Sequence, residues 1–133
     1  MPTFEATGNP RFAKVIFDVG ELAAIRGACA AALAREQSRL DDAAGASLEQ
    51  YAAQARKVDD AEMTDRLVSL FRAGEEILIE RDDLAPVLES LNVYRRSAPE
   101  VPGSRPGALE SAREKIERCL GPRPVTARGA GSR

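Results

Sequence analysis

The sequence predicts a mainly α fold: a long antiparallel helical hairpin, a minor two-stranded β element and short C-terminal helices. Three observations carry this. Ala supplies 23 of the 133 residues, and Ala is the strongest helix former and lets backbones approach closely. Two segments, Asp18-Val-Gly-Glu21 and Ser47-Leu-Glu-Gln50, have the form of capping boxes, each opening a run with apolar residues at helical spacing. Between them lies only a short Gly-bearing link, which folds the two runs back on each other.

The first element is a strand. Phe12-Ala-Lys-Val-Ile-Phe17 is rich in aromatic and β-branched residues and alternates loosely, with Ala13, Val15 and Phe17 on one face and Phe12, Lys14 and Ile16 on the other; it reads as a strand with both faces largely covered. From Val19 the positions Leu22, Ile25, Cys29, Leu33 and Leu40 recur at threes, fours and sevens, with Glu36 interrupting the stripe. Asp41-Asp42 and Gly45 stop it, since acids are unfavourable at a helix C-terminus.

The second helix takes Tyr51, Ala55, Val58, Met63, Leu67, Leu70 and Phe71 toward Gly74, with a possible break at Asp59-Asp60. Each arm is expected to hold about 23 to 27 residues, a rod of about 35 to 40 Å. Glu76-Ile-Leu-Ile-Glu80 reads as a second strand, and Asp82 to Leu91 as a helix capped by Asp, with Pro86 in its first turn. Two lone strands gain most by pairing, within the chain or across a dimer. The run from Ile77 to Val87 also matches Val15 to Ile25 class for class at most positions, at a constant offset of 62 residues; duplication or chance would account for it equally well.

Residues 95–107, with three prolines and two glycines from Ser97 to Gly107, read as an extended linker. Residues 108–120 read as a helix with Leu109, Ala112, Ile116 and Leu120 on one side, laced by Glu110 with Arg113, Glu114 with Arg118, and Arg113 with Glu117. Residues 121–133, carrying Arg123, Arg128 and Arg133 and no acid, are expected to be a disordered basic tail. The core is assigned to residues 11–94, which hold 23 of the 29 Leu, Ile, Val and Phe residues.

Charge is uneven. Residues 1–94 carry 10 basic and 17 acidic side chains, and residues 95–133 carry 9 and 4, so an acidic body meets a basic end able to reach phosphate or an acidic surface. No run of about 18 apolar residues exists, so no membrane span is predicted and a soluble, cytoplasmic protein is expected. Cys29 and Cys119 match no metal or redox spacing and read as free core thiols.

Catalytic motifs are missing. The chain has no histidine, which removes the commonest general base, the commonest metal ligand and every Ser-His or Cys-His arrangement. Gly8, Gly20, Gly27 and Gly45 form no phosphate-cradling loop. The pairs Asp41-Asp42, Asp59-Asp60, Glu75-Glu76 and Asp82-Asp83 lack the alternating oxygens of a calcium loop, and adjacent carboxylates diverge by about 100° on a helix. No catalytic, cofactor or metal site is therefore assigned, and the chain is expected not to be an enzyme.

What remains is binding. The long, thinly apolar helices predict a noncatalytic interaction or assembly module, completed by self-association or by a protein partner, with Leu22, Ile25, Leu33, Leu67, Leu70 and Phe71 as its interaction residues. The alternative is a small DNA-binding regulator using Lys14, Arg95 and Arg96. The order of strand Lys14 to Phe17, helix from Glu21 and a further helix opened by Gly45-Ala-Ser-Leu-Glu49 resembles ribbon-helix-helix regulators. That resemblance implies paired strands from two chains in the major groove and a helix N-terminus on a phosphate. The chain departs from it in offering only Lys14 among strand hydrophobes and in a first helix about twice as long.

Overall fold

The computed structural model describes residues 11–121. In it Phe12–Val15 (β1) leads to Val19–Asp42 (α1), a 3-10 turn at Ala43–Gly45, Leu48–Ser69 (α2), Ile77–Glu80 (β2), Arg81–Ser97 (α3) and Ala108–Leu120 (α4). The fold is mainly α. The chain's first and last segments, including the expected basic tail with Arg123, Arg128 and Arg133, lie outside the described residues.

Asp18 starts α1 as the sequence implies: its Oδ1 accepts from the Glu21 N–H at 2.7 Å, and Glu21 Oε1 accepts from the Asp18 N–H at 2.9 Å. The second box is half formed, with Ser47 Oγ accepting from the Gln50 N–H at 3.1 Å. α1 and α2 pack antiparallel: Arg26 near the start of α1 donates to the carbonyls of Val68 and Phe71, and Gln54 near the start of α2 donates to Glu36. α2 stops at Ser69 rather than running on to Gly74, and the Arg26 guanidinium ties its last turn and the Phe71 carbonyl beyond it to α1. It is unbroken at Asp59-Asp60, both of which are exposed.

β1 and β2 pair antiparallel within the chain, Phe12 opposite Glu80 and Val15 opposite Ile77. Only one face of this ribbon is covered. Ala13, Val15 and Ile79 are buried, whereas Lys14, Ile16 and Leu78 are open, which corrects the expectation of two covered faces. The residue aligned with Asp18 at the 62-residue offset, Glu80, also occupies an N-cap. Its side chain makes no cap hydrogen bond and pairs instead with Arg11 at 2.8 Å. Asp82 is thus a first-turn residue rather than the cap, and Pro86 falls in the second turn of α3.

The core is larger than the sequence implied. Phe17, Leu22, Ile25, Leu84, Val87 and Leu91 are closed over by Ala108, Leu109, Ala112 and Ile116 of α4, so the core does not end at residue 94. The predicted linker takes part as well. Arg95–Ser97 completes α3, and Val101 is buried against α1 at Gly27. A Cβ on Gly27 would lie 2.3 Å from Val101 Cγ1; the missing side chain lets the strap come within packing distance. Small residues therefore achieve by close approach what a count of large apolar ones did not reveal.

Burial is confined to one end of the hairpin. The buried residues of α1 run from Glu21 to Cys29 and those of α2 from Val58 to Val68. The distal half is a two-helix arm standing clear of a closed head. No helix among the described residues is long and apolar enough to cross a membrane.

Candidate functional site

Where α2 passes the head, α3 leans on α1 and α4 and diverges from α2, leaving an apolar groove of about 550 Å³ between them. Met63, Leu67 and Leu70 recur at four and three residues and form one wall, with Pro86 and Asp83 of α3 opposite. Met63 is 67% exposed and Leu70 75%; Leu67 is half-buried at the base. Arg66, Asp60 and Asp83 edge the groove, and none of the three forms an ion pair among the described residues. The groove's walls are apolar and its edges are charged.

A second concavity, about 460 Å³, adjoins it between α1, α2 and α3 where the arm leaves the head, the two sharing Asp60, Thr64 and Pro86. Arg35, Arg39, Lys57 and Arg96 face Glu36, Asp60 and Glu89 there, and Glu36 is shared by Arg39 at 3.5 Å and Arg35 at 4.0 Å. Four cations against three carboxylates give little net preference for either sign.

The predicted interaction residues divide. Leu22, Ile25 and Phe71 are inside the head, Phe71 stacked on Phe17 with ring centroids 6.2 Å apart. Their assignment to an open face is corrected: the closed core leaves them nothing to offer a partner. Leu33 is half-buried in the arm. Leu67 and Leu70 do line the groove, joined by Met63 and Pro86. The helical stripe contained Met63, but nothing in a stripe says which of its members the head leaves uncovered.

The predicted nucleic-acid residues have three different settings. Lys14 is on the open ribbon face opposite Leu78, Arg95 donates to Glu110 Oε1 at 3.1 Å, and Arg96 lines the charged concavity.

No local pattern marks what Glu21 does beyond its cap. At 1% exposure it accepts from Lys115 Nζ at 2.7 Å and from Ser111 Oγ, with Arg105 at 3.6 Å. Burial pushes its carboxyl upward, but the hydrogen bonds from Lys115, Ser111 and the Asp18 N–H outweigh that and hold it below the ordinary glutamate value. Lys115 also donates to the Ile16 carbonyl at 2.7 Å. Each polar atom of the cluster has a partner within the chain, so this is a clasp between α1 and α4. Comparison with protein-family models, with curated proteins and with solved structures finds no match for the chain, and the functional conclusion therefore rests on the α2–α3 groove itself.

Proposed function

We propose that the chain is a noncatalytic protein-interaction module, with a closed helical head that presents the apolar strip of Met63, Leu67 and Leu70 on the α2–α3 groove to a protein partner. The observation that carries this is the open position of Met63 and Leu70 beside half-buried Leu67. Covering such a side chain fully is worth about 1.5 to 3 kcal/mol, and a contiguous apolar groove with a polar rim is the usual anatomy of an interface centre. The nucleic-acid alternative needs Lys14, Arg95 and Arg96 to act together, and Arg95 is engaged by Glu110.

The test is a photoreactive phenylalanine analogue at Leu70 in the full chain, irradiated in the source cells, with the adduct identified by mass spectrometry. One defined polypeptide adduct is expected, absent when the analogue is placed at exposed Glu114. No adduct at Leu70, or the same adducts from both positions, overturns the proposal.

A further inference from the structure

We infer that the protein seated on the α2–α3 groove is a second copy of this chain, related by a two-fold axis running along the groove, with Arg66 of each copy facing Asp83 of the other. This rests on the interaction reading above and names its partner.

The inference comes from how charge is arranged about the apolar centre. At about 100° per residue, Arg66 lies about 60° to one side of Met63 and Asp60 about 60° to the other. Asp60 also lines the concavity shared with α3, so Asp60 and Asp83 occupy the rim nearest α3 and Arg66 the opposite rim. The groove is thus a strip of Met63, Leu67 and Leu70 with a cation along one edge and acids along the other. All three charges lack an ion-pair partner among the described residues.

An isologous interface requires a patch that complements itself, residue i meeting j while j meets i. Rotation about an axis along the strip lays the cationic edge of one copy on the acidic edge of the other, twice, with the two α2 helices parallel. Rotation about an axis across the strip would lay Arg66 along the Arg66 edge, which like-charge repulsion disfavours. The apolar centre supplies the attraction and the edges choose the arrangement.

The test is sedimentation of the full chain over a concentration series, for the native protein, Arg66→Asp, Asp83→Arg and the double variant. The native chain is expected to dimerise, each single reversal to weaken the dimer about tenfold, and the double reversal to return it to within about threefold of native. A native chain that stays monomeric to about 100 μM, or a double variant as weak as the two singles combined, overturns the inference. Circular dichroism checks that the reversals fold; should one fail, Arg66→Gln and Asp83→Asn replace them, each weakening the dimer and the pair showing less than the sum. A monomeric chain whose Leu70 nonetheless cross-links to a different polypeptide sinks the self-pairing and leaves the interaction reading standing. Absence of any adduct removes both.

Discussion

Lys115 Nζ stands 2.7 Å from Glu21 Oε1, joining the first turn of α1 to the middle of α4 across 94 positions of sequence. Glu21 also completes the Asp18 capping box and accepts from Ser111, while Lys115 lies 5.9 Å above the Phe17 ring. One buried carboxylate thereby fixes both the start of the hairpin and the seat of the last helix.

Removing either partner is expected to destabilise the head. Glu21→Gln should cost about 2 kcal/mol in urea unfolding at neutral pH, and Lys115→Met about 3 kcal/mol, because the latter leaves a buried carboxylate without its cation. The Glu21 carboxyl is held below its ordinary 4.5 in the folded chain, so its contribution is present above that value and is lost as pH falls through the folded one. Stability of the native chain should drop on acidification below about pH 4.5, and Glu21→Gln should flatten that part of the profile. An unchanged profile would mean that the clasp contributes nothing.

Gly27→Ala would stabilise an isolated helix by about 1 kcal/mol. Here the added methyl meets Val101 Cγ1 at 2.3 Å, and the expected outcome is a loss of about 1 to 3 kcal/mol from overpacking. The double variant Gly27→Ala with Val101→Ala removes the clashing methyl and should recover most of the part due to the clash. Thermal melts of the four proteins decide it.

Burial pushes the Cys29 thiol up to about 12, against a lesser opposing hydrogen bond with Ser90. Cys119 is only half-buried and is raised by burial as well, opposed by Arg81 and Arg118. Alkylation at pH 8 followed by peptide mass analysis should label Cys119 first, with Cys29 reacting only at the rate of unfolding. Equal labelling rates in the native protein would contradict the closed head.

Much of this architecture was legible in local chemistry. The Asp18 and Ser47 caps, the Gly-bearing link and the β-branched runs each act over a few residues, so hairpin and ribbon could be anticipated. Residues whose role is set by distant packing could not. Leu22 and Leu70 belong to similar helical stripes, yet the first is covered by the head and the second by nothing among the described residues. The seat of Val101 depends on a glycine 74 positions earlier, and the Glu21 clasp on two residues of α4. Of the groove, Leu67 and Leu70 were identifiable from the stripe; Pro86 and the charged rims became a surface only once α3 was placed beside α2.

Covering of the groove by a second copy is tested most directly at the Met63 methyl group, one of two methionine methyls in the chain. With labelled methionine and a soluble paramagnetic agent, the Met63 signal should be strongly relaxed in dilute protein. It should become protected as concentration rises through the dimerisation range, and Asp83→Arg should shift that protection to higher concentration. A Met63 signal equally relaxed at every concentration would contradict it.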